Sequence, residues 1–371
     1  MTEHRINVTR SSMPPLEEYV EELKPIWESR WLSNYGAVNQ KFEEMLKERL
    51  GVENVCTFVN GHMALEIALQ SFSFPQGAEV ITSPYTHIST THAIVRNGLK
   101  PVFVDIEPVH YTIDPDRIEE AITEKTAAIV ATHVYGFPCD VERIEKIAKR
   151  HGLPVIYDAA HCFDVKYKGV GIGNYGDFAM FSFHATKVFH TIEGGLLTCK
   201  ADHAKQMRKI RQISNFGNVS EDNIDYVGPN AKMNEFAAAM GICNLRHLDE
   251  YIEKRKTADA RYCERLSGVS GIHIPRPDAD TEWNYIYFPI IFDGIRFNRN
   301  RIKDHLARHG IYARKYFYPL TNEDNVYKGV YDTANLSVAH HTAYNVLTLP
   351  MFSDLTVETV DEVCEVILNE Y

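Results

Sequence analysis

No stretch of the 371 residues approaches the ~18 consecutive apolar residues that a membrane span needs, and the opening MTEHRINVTRSSMPPLEEYVEEL lacks the apolar centre of a signal peptide. A cytoplasmic chain without a membrane partner is expected. Basic charge is scarce: 39 Lys and Arg against 50 Asp and Glu leave a net charge of −11. A nucleic-acid partner wants a basic face, so none is expected. The seven cysteines are odd in number and scattered, with no C-x-x-C spacing. That excludes a disulfide framework and a zinc or redox pair, and leaves reduced, structural thiols. The 17 histidines include no H-E-x-x-H, and His340-His341 has no carboxylate beside it at metal-ligand spacing. No metal is expected. Repeats, low-complexity tracts and long linkers are also missing.

What is present is alternation. Short apolar, β-branched runs fall at 55–59, 79–82, 101–104, 127–131, 154–157 and 178–181. Between them HMALEIALQSF, THAIVRNGL, DPDRIEEAI and VERIEKIAKRHG carry apolar residues at helical spacing. Strand–helix alternation of this kind predicts an α/β fold on a mostly parallel sheet. Asp114 stands where a helix cap belongs, with Pro115 at the first helical position. Beyond residue 200 the pattern turns helical, through ADHAKQMRKIRQ and a long stretch over 233–266. The strand NYIYFPIIF, a helix at RNRIKDHLARHG and a last helix at VETVDEVCEVILNEY then predict a small α+β unit. A large domain over 1–250, with amino-terminal helices, and a small one over 251–371 are expected.

Three features carry chemistry. Lys187 lies just past the run FAMFSF, among Phe183, Ala185, Val188 and Phe189, rather than beside acidic neighbours on an amphipathic helix. Alone, it reads rather as a lysine whose stem covers apolar surface. Asp158 ends the run PVIYD, and open α/β sheets present ligands at the carboxyl ends of their strands. Alone, it reads equally as a helix cap. Asn60-Gly61-His62-Met63 follows the run VCTFV and opens a helix, where glycine lets backbone N–H groups approach a phosphate. Alone, it is a turn. Taken together, an imine-forming lysine, an acid for a pyridine nitrogen and a phosphate cradle are what a pyridoxal phosphate (PLP) aminotransferase requires.

The segments NG-x-x-AL, SPYTHIST, FVDI, HVYGFPCD, YDAAH, GDFAMFSFHATKVFHTIEGG, SNFG and NAKMNE occur in this order between about Trp31 and Pro319. In this the chain resembles the sugar aminotransferases of the DegT/DnrJ/EryC1/StrS family. The lysine segment SFHATKVF with its following glycines is the most specific part, and is most similar to the subfamily that aminates C4 of a nucleotide-linked 4-keto-6-deoxy sugar. The resemblance implies PLP fold type I, aspartate aminotransferase-like, with a seven-stranded-type sheet. It implies Lys187 as the Schiff-base and proton-shuttling residue, Asp158 paired with the pyridine nitrogen, and His161 against the ring hydroxyl. Gly61, His62 and Ser182 would cradle the phosphate, and Asn215 would reach it from the partner subunit of a homodimer with shared active sites. Asn230, Lys232, Tyr316 and Tyr318 would line the sugar-nucleotide entrance. L-glutamate is the implied amino donor, and surface polysaccharide such as O-antigen the implied pathway.

Two positions depart from the family. His62 stands where threonine is common, so a hydroxyl contact to phosphate is lost or replaced. His87 stands where an aromatic ring usually covers the cofactor; imidazole stacks, and it also titrates near neutral pH. His184 and His190, which flank Lys187, are read as packed or backbone-bonded histidines, and Glu193 as a turn residue. Rival readings are a 3-aminotransferase or an enzyme of UDP or GDP sugars, a deoxygenating dehydratase, whose relatives carry histidine in place of Lys187, and a non-catalytic sensor on the same scaffold.

Overall fold

The computed structural model describes residues 5–293, 298–331 and 335–370; Tyr371, the end of the expected last helix, lies outside them. Seven strands form the central sheet: β1 (Asn54–Phe58), β2 (Glu79–Thr82), β3 (Lys100–Phe103), β4 (Thr126–Thr132), β5 (Val155–Asp158), β6 (Phe178–Ser182) and β7 (Gly195–Cys199). Their order is β1-β7-β6-β5-β4-β2-β3. β2 to β6 run parallel to one another, whereas β7 runs antiparallel to both β1 and β6. Six of the seven match the apolar runs of the sequence to within a residue or so at either end. The sequence reading did not list β7, which begins on the second glycine of a pair and carries only two large aliphatic side chains.

Two helices precede the sheet, α1 (Leu16–Ser29) and α2 (Ala37–Leu50). Four more connect its strands: α3 (Gly61–Ser71), α4 (Ile88–Arg96), α5 (Pro115–Ala121) and α6 (Val141–His151). Each of these four begins at a side-chain cap. Asn60, His87, Asp114 and Asp140 accept backbone N–H bonds from the first turn, which fixes where each chain segment leaves its strand. Strand periodicity then sorts side chains onto two faces. Val55, Ile81, Ile129, Val155 and Phe181 join one buried cluster with α2, α5 and α6, while Cys56, Val80, Val130, Ile156 and Met180 join another with α3 and α4.

The long helical stretch divides at His247 into α8 (Glu235–Arg246) and α9 (Leu248–Leu266), following α7 (Ala204–Ile213). Residue 250, the expected domain boundary, lies in the first turn of α9. A third buried cluster unites α9 with α10 (Arg299–Arg308), α12 (Val357–Leu368) and the strands Phe288–Phe292 and Val346–Leu349. α11 (Ser337–Asn345) directly precedes the strand Val346–Leu349. Ile6 belongs to the third cluster, because the strand Ile6–Asn7 pairs with Ile311–Tyr312. Of the expected strand NYIYFPIIF only Phe288–Phe292 is regular. Asn284 is instead bonded to the carbonyls of His161 and Phe163, which draws the preceding residues out of the small sheet and toward the carboxyl edge of the large one.

Candidate active site

The carboxyl ends of β1, β4, β5 and β6 and the loop after β2 open on one cavity of about 390 Å³. Lys187 enters it from the loop between β6 and β7. That loop is clamped at its neck, where Phe183 N–H donates to the Gly194 carbonyl (2.9 Å) and Thr191 N–H to the Phe183 carbonyl (3.0 Å). Phe183 and Phe189 anchor it in the core, edge to face at 4.8 Å, and Phe163 stacks on Phe189 at 4.3 Å. Burying each ring stabilises the loop by roughly 1.5–3 kcal/mol. The lysine is thereby held with its Nζ 5.8 Å from the ring centre of the buried Tyr287. Burial pushes its pKa down, against smaller opposing pulls from Tyr316 and Asp158. A lowered pKa leaves more of the amine unprotonated at neutral pH, the form that can act as nucleophile and base.

Asp158 faces the same cavity and is 3% exposed. Its Oδ2 accepts from the Thr90 hydroxyl (2.6 Å) and its Oδ1 from Ala160 N–H (3.1 Å). Since Thr90 donates to the carboxylate, the Thr86 hydroxyl donates to Thr90 (3.0 Å) and the Thr132 hydroxyl to Thr86 (2.9 Å). A chain of three buried hydroxyls from different segments thus ends on the acid. His161 completes this wall. Its Nδ1 accepts from Tyr135 N–H (3.2 Å), so Nε2 carries the ring proton as a donor. Its ring stacks on Phe317 (5.8 Å, 4°), and burial holds its pKa well below the ordinary histidine value, with Lys187 and His87 adding to the effect.

Opposite stands the start of α3. Gly61 and His62 line the cavity and carry the first helical N–H groups, which have no partner within the helix and lie at the positive end of its dipole. A Cβ on Gly61 would come within 2.9 Å of Met180 Sδ and 3.2 Å of Ser182, so only glycine lets this turn lie against β6. The His62 side chain is tied back, Nδ1 to the Ser89 hydroxyl (2.9 Å) and Nε2 to Glu66 (3.2 Å). His87 caps α4 through Nδ1 while lining the cavity, and burial lowers its pKa, with Lys187 adding to the effect. An anion cradle, a buried carboxylate, a neutral imidazole donor and a buried amine around one cavity fit a phosphorylated pyridine aldehyde group by group.

Of the sequence candidates, Gly61, His62, His87, Asp158, His161, Ser182, Lys187 and Tyr316 line this cavity. Tyr318 does not: it is exposed, packed edge-on against Tyr344 with Arg299 over its ring. Asn215, Asn230 and Lys232 form a separate cluster, in which the Lys232 ammonium bonds the side-chain oxygens of Asn215 (2.6 Å) and Asn230 (2.7 Å). Asn215 and Lys232 line a second cavity of about 250 Å³ with Arg208 and Arg211. His190 Nε2–H donates to the Ser12 carbonyl (2.6 Å), and His184 Nδ1 bonds the Thr186 hydroxyl. The sequence reading missed Thr86, Thr90 and Thr132, and also Arg314 and Phe317. No group of three metal-ligating side chains occurs among the described residues, although His340 and His341 each meet a carboxylate, Glu323 and Asp293, from distant segments.

The strand order and the lysine and aspartate at the carboxyl edge define a type I PLP enzyme. Residues 16–368 match the DegT/DnrJ/EryC1/StrS aminotransferase family. The dTDP-4-amino-4,6-dideoxy-D-glucose transaminase of Shigella dysenteriae is 41% identical over 366 residues, covering 98% of this chain and 99% of that protein. DesI, crystallised in the presence of its TDP-sugar product, superposes with a TM-score of 0.93 at 32% identity, over 98% of this chain and 92% of DesI. Spr1654 of Streptococcus pneumoniae in its PLP form gives 0.91 at 26% identity, over 98% of each chain. The chain belongs to the DegT/DnrJ/EryC1/StrS aminotransferase family. It is a PLP-dependent nucleotide-sugar aminotransferase. No helix among the described residues is long and apolar enough to cross a membrane.

Proposed function

We propose that this enzyme moves the amino group of L-glutamate to C4 of dTDP-4-keto-6-deoxyglucose. The observation that carries the reaction is the buried amine of Lys187 in one cavity with Asp158. The sugar and the position of amination rest on full-length similarity to the Shigella transaminase. When bound, PLP supplies an aldehyde and an electron sink. Lys187 binds that aldehyde and, once displaced by the donor, moves the proton to and from the reacting carbon. Asp158 keeps the ring nitrogen protonated; a charge pair at 4 Å is worth about 4 kcal/mol at an effective dielectric of 20. His161 donates from Nε2 to the ring oxygen. Gly61 and His62 N–H groups and the Ser182 hydroxyl hold the phosphate, and His87 covers the ring face.

Asn215 reaches the phosphate of a second copy of the chain, and Asn230 and Lys232 line that copy's nucleotide entrance. Their separation from the Lys187 cavity of their own chain supports a homodimer with shared sites. So does an exposed apolar face on α1, Leu16, Val20 and Trp27, which continues into Trp31 and Leu32. Tyr316 lies on the cavity wall and Tyr318 farther out, at the sugar-nucleotide entrance.

Purified enzyme should be yellow, should bleach with L-glutamate and should regain colour with dTDP-4-keto-6-deoxyglucose. Lys187→Ala should lack the absorbance of lysine-bound cofactor and transfer no amino group. Robust turnover by that variant would refute the assignment of Lys187. Colour recovery only with a 3-keto sugar, or only with a UDP or GDP sugar, would replace the proposed acceptor, and absence of bleaching by any amino acid would favour a sensor.

A further inference from the structure

Arg314 is the single arginine on the wall of the Lys187 cavity among the described residues. Its backbone is locked to the strand Val346–Leu349 by two bonds with Thr348, at 3.1 and 2.7 Å. Its Nη1 donates to the Tyr316 hydroxyl (2.8 Å), and the guanidinium lies over that ring, 5.4 Å from its centre. Neither acid on the cavity wall pairs with it. Asp158 is bonded to Thr90 and Ala160, and Glu193 faces His184 at 3.6 Å. Arg314 is exposed on the cavity wall, and its guanidinium carries further N–H donors in a fixed fork. Such a fork, planar and permanently charged, is matched by a carboxylate accepting two parallel bonds.

Position separates the two anions that visit this site in turn. Tyr316 packs on Tyr287 with ring centres 5.4 Å apart, and Lys187 Nζ lies 5.8 Å from the Tyr287 ring, so two rings bridge the guanidinium and the reactive amine. An amino acid carries its α-carboxylate one bond from the reacting carbon. A nucleotide sugar carries its diphosphate on C1, across the sugar ring from C4. A cation that shares with Lys187 the wall of one cavity of about 390 Å³ suits the first better than the second.

We propose that Arg314 binds a carboxylate of the amino donor and so selects an acidic donor; this rests on the aminotransferase reading above. Because the reaction proceeds in two halves, donor and acceptor steps are measured apart. Holoenzyme is titrated with glutarate, a dicarboxylate with no amine to react, and binding is read from the shift of cofactor absorbance. Each half-reaction is then followed in single turnover. Arg314→Met should weaken glutarate binding and the donor half-reaction roughly ten- to hundredfold, the worth of a charge-assisted hydrogen-bond pair. Arg314→Lys should recover part of this, and the acceptor half-reaction of the aminated enzyme should change less than about threefold. Cofactor absorbance in each variant reports that the site is intact. Unchanged glutarate binding, a loss confined to the sugar half-reaction, or an equal loss in both would overturn the proposal. Wild-type enzyme that neither bleaches with glutamate nor binds glutarate would instead refute the acidic-donor reading on which it rests.

Discussion

Replacing Gly195 with alanine should damage the phosphate cradle through the one central-sheet strand that the sequence reading overlooked. Gly195 opens β7 and pairs with both Phe58 and Ser182, so it sits between the ends of β1 and β6. A Cβ there would lie 2.5 Å from the carbonyl carbon of Asn60 and from Gly61 N, and 2.6 Å from the Asn60 oxygen. All three are backbone atoms, so no side chain can rotate away. Restoring a contact of ~3.5 Å requires the Asn60–Gly61 peptide to move by about 1 Å. Overpacking of this kind costs about 1–3 kcal/mol. The displaced peptide carries the first N–H donor of α3, so the loss should appear in PLP affinity as well as in folding. Urea unfolding of cofactor-free protein and PLP titration followed by absorbance measure the two separately. We expect a lower midpoint at unchanged slope and cofactor binding weakened about tenfold or more. If both match wild type, β7 does not press on the cradle and the geometric argument fails.

The hydroxyl chain makes a second prediction: Thr90→Val removes the donor to Asp158 and should cost about 1.5–3 kcal/mol in urea unfolding, whereas Thr90→Ser should restore most of it. A valine variant as stable as wild type would show that the hydrogen bond contributes nothing. A third concerns acid. Burial lowers the His133 pKa from 6.5 to about 3. Above pH 6.5 the folded and unfolded states are both neutral there and its contribution is intact. Between about 6.5 and 3 only the unfolded state takes up the proton, so stability falls with pH by up to ~1.4 kcal/mol per unit. His133→Asn keeps an acceptor for Cys139 N–H, which His133 Nδ1 now meets at 2.9 Å, and should flatten that slope. An equally steep slope in the variant would assign the acid sensitivity elsewhere.

The parts of the site legible in the sequence are those tied to local pattern. Lys187, Asp158 and Gly61 each sit where an apolar run ends, and such a run marks a buried strand whose carboxyl end opens on ligand space. β7 escaped because GLLTC follows the loop of Lys187 without alternation, and its antiparallel pairing with β1 and β6 is what makes it a strand. Thr86, Thr90 and Thr132 escaped for another reason. Threonine hydroxyls carry no signature in one dimension, and their order of donation exists only once the loop after β2, α4 and the end of β4 meet. Arg314 and Phe317 come from the small sheet's side of the cavity, 127 or more residues past Lys187, and nothing in RKYFYPL tells which of its side chains turns inward. The backbone bridge from Arg314 to Thr348 decides it.

The place of β7 between β1 and β6 bears on the order in which a growing chain can fold. β1 is the first sheet strand to leave the ribosome, yet its hydrogen-bonding neighbour is the last, separated from it by all the other five. Until Cys199 emerges, β1 has neither edge paired and the loop at Asn60 lacks the strand it rests on, which leaves apolar strand surface exposed to other chains. Fragments ending before Gly195 should therefore bind no PLP and should aggregate, even though Lys187 and Asp158 are both already present in them.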